Sequence, residues 1–314
     1  MVLPYKGTAS FRGPIGINSG QPGGRIPGPL GFKQVNQTKG NTSKATKTLP
    51  MPAPWKNSDI IRAKVVNWKL ANDKPITTDV RQGTLANCPI AAVLAALTHT
   101  ATGQKYVDGL IIEYRGASVQ TVLEQAAMDR TALKSDEDLD DKLQDKTLVS
   151  NRYFSVKLGK QIEVHDTFFV KYTDGTDLDL VYMNSPNDVL WPAVIEKACA
   201  LHYGSYIEIG SAKKHTANEF WEFVVGKPAQ SVEIKDSTDI DKIRDAARNA
   251  TSIPTIAASR DKTTIVNLTA WHGYAVLGIK GKEIELYDPA KAKAFTLSFE
   301  DFRSNFQMIL SGTP

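Results

Sequence analysis

The chain has 314 residues, 38 Lys or Arg against 34 Asp or Glu, a formal net charge of +4 and two cysteines. That length buries a sizeable core, in one large domain or two lobes. Two cysteines exclude a disulfide framework and fit a reducing compartment. No run of 18 apolar residues stands in the sequence, and Met1 to Gly31 lacks the apolar core of a signal peptide, so no membrane span is expected.

The charge is unevenly spread. Residues 1–57 hold eight Lys or Arg and no acid, with half of the sixteen prolines and nine of the 22 glycines. Such a segment buries too little apolar surface to offset its chain entropy, so little regular structure is expected there. Three readings fit this leader: a flexible tail, a propeptide lying in a cleft, or a segment read by a secretion or packaging apparatus. Interleaved aromatics are missing, which argues against nucleic acid as a partner.

Residues 58–314 read as the globular part. Asp79-Val-Arg-Gln-Gly-Thr-Leu-Ala-Asn-Cys88 is a polar loop that Pro89 turns into a helix, since proline suits a first helical position. Ile90 to Leu97 is apolar on every side, which means a helix buried in protein. Cys88 therefore stands at a helix N-terminus, where free amide groups and the helix dipole favour the reactive thiolate. Gln82 can offer a side-chain N–H across the Gly83 turn to an oxygen held near Cys88, the layout of a nucleophile with an oxyanion hole.

Further along, the spacing predicts a helix over 117–146, strands at 153–157 and 161–171, and a turn at Asp174-Gly175. Helices follow over 185–203, 219–225 and 238–249, the last capped from Asp236-Ser237. Strands are expected at 253–258, 264–268, 271–279, 283–287 and 294–297, then a helix over 299–306. Helices early and strands late give an α+β fold in two lobes: 58–210 mainly helical with Cys88, and 211–314 β-rich.

A cysteine nucleophile needs a base and a group that orients it. His99 reads as a helix C-terminal dipole partner, His165 as a surface or hairpin residue, and His202 and His215 as helix-end and loop residues. Cys199 reads as a small core residue. His272 lies in an apolar strand, and a hairpin turning at Lys280-Gly-Lys282 brings Asp288 beside it. The expected triad is Cys88, His272 and Asp288.

Gln82-Gly-x-Leu-x-Asn-Cys88 resembles the active-site motif of the calpains, papain-like cysteine proteases. Trp191-Pro-Ala-Val-Ile-Glu-Lys-Ala, His272-x-Tyr-x-Val276 and Asp288-Pro289 resemble calpain segments in the same order, over residues 75–312. The resemblance implies a papain-like fold with substrate in the cleft between the lobes. It also implies a cysteine endopeptidase acting on protein substrates. Asp288 stands where calpains carry Asn, and Ala290-Lys291 follow where calpains carry Trp. Cys-His-Asp triads also serve transglutaminases and some amidases, so a transglutaminase- or deamidase-like enzyme is the alternative, and a non-catalytic papain-fold binding module the second. No cofactor is required by this chemistry. Asp79 and Glu196 are similar to calcium carboxylates of animal calpains, although no EF-hand loop is present, and pairing of Asp79 with Arg81 or a surface place for Glu196 is the plainer reading. With no signal peptide, a cytoplasmic protein, or one exported by a non-classical route as a toxin-like effector, is expected.

Overall fold

The computed structural model describes residues 34–36, 61–121, 148–173, 177–210 and 215–314. Apart from Gln34–Asn36, the leader lies outside the described residues, as do the Asp174-Gly175 turn and most of the helix expected over 117–146. The architecture is mixed helix and sheet, α+β.

Near the start, β1 (Gln34–Asn36), β2 (Ile61–Val65) and a single 3-10 turn (Thr77–Asp79) lead to α1 (Cys88–His99) and α2 (Ala101–Leu110). Strands β3 (Ile111–Thr121), β4 (Leu148–Leu158), β5 (Lys160–His165), β6 (Thr167–Thr173) and β7 (Asp177–Leu180) follow. They form one sheet in the order β1-β3-β4-β5 and another in the order β2-β6-β7. Among the described residues of 58–210, expected to be mainly helical, there is as much strand as helix. Residues 117–121 extend β3 instead of starting a helix, because Val119–Thr121 pair with Leu148–Ser150 of β4.

The single strand expected over 161–171 is two, belonging to different sheets. Lys197 explains the break. Its buried ammonium donates to the carbonyls of His165 and Thr167, on either side of Asp166. Burial lowers the Lys197 pKa to about 7, against the opposing charge of Asp166. His165, expected as a surface or hairpin residue, is buried.

Then come α3 (Trp191–Tyr203), α4 (Tyr206–Ile209) and α5 (Ala217–Val225). Helix α3 starts six residues later than its apolar spacing suggests, since Pro192 fits only its first turn and Asp188, at φ 53°, stands in the left-handed region before it.

The second half is a six-stranded antiparallel sheet in the order β12-β11-β10-β9-β13-β8. Its strands are β8 (Gln230–Glu233), β9 (Thr255–Ser259), β10 (Gly273–Lys280), β11 (Glu283–Asp288), β12 (Lys293–Leu297) and β13 (Phe306–Ser311). Helices α6 (Ile240–Asn249) and α7 (Phe299–Asn305) pack on it. Asp239, not Asp236 or Ser237, caps α6 through the Asp241 amide. β8 and β13 escape the sequence pattern. The strand expected over 264–268 is a loop, because Thr264 gives its backbone N–H and hydroxyl to Asn305 Oδ1.

Helix α1 joins the halves. It is buried along nearly its whole length and packs on β10. His99, in its last turn, bonds the Leu277 carbonyl of β10 at 2.6 Å. Among the described residues no helix is long and apolar enough to cross a membrane.

Candidate active site

Cys88 opens α1 after Asn87, with Pro89 in the first turn as the sequence dictates. The loop before it is pressed against residues 181–182: a Cβ on Gly83 would lie 2.0 Å from the Tyr182 carbonyl oxygen, so only glycine fits. Thr84 N–H donates to the Val181 carbonyl at 3.0 Å, and Gln82 N–H to the Pro289 carbonyl at 2.9 Å. That second bond ties the nucleophile loop to the residue after Asp288.

The β10–β11 hairpin forms as its pattern predicts, turning at Gly281 with φ 64°. Ala275 pairs with Tyr287, which sets Tyr274 opposite Asp288 and His272 diagonal to it on the same face. His272 Nε2 lies 3.0 Å from Asp288 Oδ1. The His272 backbone is locked to the sheet by Ser259: His272 N–H donates to Ser259 Oγ and Ser259 N–H to the His272 carbonyl, both at 2.9 Å. The Tyr274 ring stands edge-on to the imidazole, with centroids 4.7 Å apart.

Cys88 and His272 meet. The thiol is near enough to the imidazole to help hold its proton. With Nε2 taken by Asp288, Nδ1 is the ring nitrogen left to serve the thiol. Cys88 Sγ also lies 3.9 Å from the Trp271 carbonyl oxygen. Trp271 holds φ 53° and its side chain is 67% exposed.

The electrostatics follow from these contacts. Burial alone would depress the His272 pKa, but the hydrogen bonds and charges of Asp288 and Cys88 outweigh it, and the imidazole rises to about 9. Asp288 moves the other way. Burial pushes its carboxyl up, yet His272 and Lys291 together bring it below the usual carboxylate range. Ala290 N–H adds a 2.9 Å bond to Oδ1, and Lys291 Nζ lies 3.1 Å from Oδ2.

Gln82 is in the loop where the sequence places it, but its amide nitrogen already donates to the Leu85 carbonyl at 2.5 Å. One amide hydrogen is left, while Oε1 is buried with no partner.

The two carboxylates proposed for calcium are committed elsewhere. Asp79 Oδ1 accepts from Asn187 Nδ2 at 2.8 Å, and Oδ2 from Trp191 Nε1 at 2.8 Å and Ile76 N–H at 3.0 Å. Asp79 therefore pairs with these donors, not with Arg81. Glu196 is fully buried, not on the helix surface, and accepts from Asn87 Nδ2 at 2.5 Å and Met183 N–H at 2.9 Å. Each carboxylate faces N–H donors, the reverse of a cation site, so these residues do not fit calcium. Among the described residues no cluster of three or more His, Cys, Asp or Glu could hold a metal.

Cys199 is fully buried, and burial drives its thiol pKa up, leaving it an inert core residue. His202 stacks on Phe223 with centroids 4.1 Å apart, and His215 sits 3.8 Å from Glu219. Sequence reasoning missed Ser259 and gave no role to Asn87, Tyr274 and Lys291, which it quoted only within or beside motifs. The signals were the motif places of Asn87 and Tyr274 and the adjacency of Lys291 to Asp288-Pro289.

No curated protein matches the chain closely enough to count as a relative. Residues 152–293 match the family model described as calpain family cysteine protease. The matched stretch takes in Trp191, His272 and Asp288, while Gln82 and Cys88 lie before it. At the family level this supports a cysteine-type peptidase, a hydrolase, with a calpain-like cysteine protease core.

Proposed function

We propose that this protein is a papain-like cysteine endopeptidase using Cys88, His272 and Asp288. The observation that carries the reading is the meeting of three groups from distant elements. The thiol at the start of α1 lies near enough to the imidazole just before β10 to raise its pKa, and that imidazole is held 3.0 Å from a buried carboxylate at the end of β11.

With His272 raised to about 9, the imidazole keeps its proton at neutral pH, and sulfur beside it acts as thiolate. The thiolate attacks a peptide carbonyl and forms a thioester. His272 gives its proton to the leaving amine, then takes one from the water that hydrolyses the thioester. Asp288 holds the ring so that Nδ1 is left to serve sulfur, as the third member of a triad does. The oxyanion would be met by the Cys88 backbone N–H and the remaining amide hydrogen of Gln82.

Comparing the protein N-termini of cells expressing the wild type and Cys88→Ala tests this reading. New N-termini confined to the wild type are expected. Mass shifts at glutamine side chains without new termini would overturn it in favour of a transglutaminase or deamidase.

A further inference from the structure

We propose that Lys291 is a positioning residue of this centre, fixing the second oxygen of Asp288 and neutralising the charge that a carboxylate adds there. The inference rests on the triad reading above and goes beyond it.

Asp288 is 1% exposed, and a buried carboxylate is costly unless both oxygens are engaged. His272 Nε2 and Ala290 N–H take Oδ1, while Oδ2 accepts no hydrogen bond and is met by the Lys291 ammonium as an ion pair at 3.1 Å. The turn after Pro289 sets this geometry, since Lys291 N–H donates back to the Asp288 carbonyl at 3.2 Å. Lys291 Nζ also donates to the Asn267 carbonyl at 2.6 Å, which pins it to the loop ahead of Trp271 and His272. The lysine is thus a strap between the triad carboxylate and the loop that leads into the triad histidine.

Charge counting gives the reason. Thiolate, imidazolium and carboxylate alone would leave one uncompensated negative charge in a closed site. Lys291 cancels it. An amide at position 288 would need no such cation.

Among the described residues two charged groups touch the Asp288 carboxylate, His272 and Lys291, beside the Ala290 N–H. Tyr274 from β10 and Tyr287 on β11 feel its charge: burial chiefly raises each phenol, with Asp288 adding at Tyr274, and Asp79 and then Asp288 adding at Tyr287. Cys88 is reached only through His272. Removing the Lys291 cation makes Asp288 easier to protonate and His272 harder to deprotonate. Lys291 is 49% exposed on its side chain, so added salt should weaken its influence.

The test is the His272 titration followed by NMR of 15N-histidine-labelled protein, which needs no turnover and is independent of whether Cys88 is the nucleophile. In Lys291→Met the His272 midpoint should rise above the wild type. Lys291→Arg should restore it, and in an Asp288→Asn background the same lysine change should give a smaller shift, by non-additivity of coupled sites. In kinetics, Lys291→Met should lower kcat on the order of tenfold with little change in KM, and both limbs of the pH profile should move to higher pH. An unmoved His272 midpoint, or an equal shift with and without the Asp288 carboxylate, would overturn the proposal while leaving the peptidase reading standing.

Discussion

His272 Nε2 and Asp288 Oδ1 stand 3.0 Å apart across the open end of the β10–β11 hairpin, away from its turn. That contact decides which ring nitrogen is left to serve Cys88, and the chemistry inferred for the centre follows from it.

Asp288→Asn keeps an oxygen that can accept from Nε2, so the ring should stay oriented and much of the activity should survive. Its proton is held less tightly without the carboxylate, and the alkaline limb of kcat/KM should move to lower pH. Steady-state rates across pH check this. Total loss in the variant would show that the charge itself is required.

The raised His272 pKa also sets a stability window. A group held protonated by its folded partners stabilises fully below its unfolded pKa of about 6.5 and loses that contribution as pH rises through about 9. Denaturant midpoints should therefore fall between those values, and the fall should be shallower in His272→Gln.

Glu196 gives a second pH signature. Burial raises its carboxyl from 4.5 to about 8, against the hydrogen bonds from Met183 and Asn87. The folded state then holds a proton that the unfolded state releases, so this residue costs stability as pH rises from 4.5 to 8. Glu196→Gln should flatten that slope, the Asn87 amide turning over to face the new donor. Glu196→Ala should cost about 2–4 kcal/mol, from the cavity and two orphaned donors. Thermal unfolding of the two variants at several pH values separates these effects.

Gly83→Ala should strain the loop ahead of Cys88, because the new methyl meets a backbone oxygen that cannot swing aside. A loss of about 1–3 kcal/mol is expected, with reduced turnover. Differential scanning calorimetry together with peptide cleavage checks it. An unchanged protein would mean that the loop can move away from Tyr182.

Much of this arrangement could be read in the residues. Pro89 and the apolar run after it mark α1, and Lys280-Gly-Lys282 between two alternating segments marks the hairpin that unites His272 with Asp288. What could not be read depends on contacts remote in sequence. Lys197 ends β5 by capturing carbonyls about thirty residues away. Asp79 and Glu196, similar by position to calcium carboxylates, are filled by amide and indole donors from other elements. Residues 117–121 match helical spacing, yet pairing with β4 overrides it. Lys291 is marked only by its place beside Asp288-Pro289, and its contact with the carboxylate depends on a turn that proline alone announces.

The most direct measurement is covalent labelling with a peptidyl acyloxymethyl ketone, followed by peptide mapping. One label per chain on Cys88 is expected, sharply slowed in His272→Ala and absent from Cys199, whose thiol is fully buried. Labelling of Cys88 that proceeds equally fast without the imidazole, or no labelling of Cys88 in the folded protein, would contradict the account.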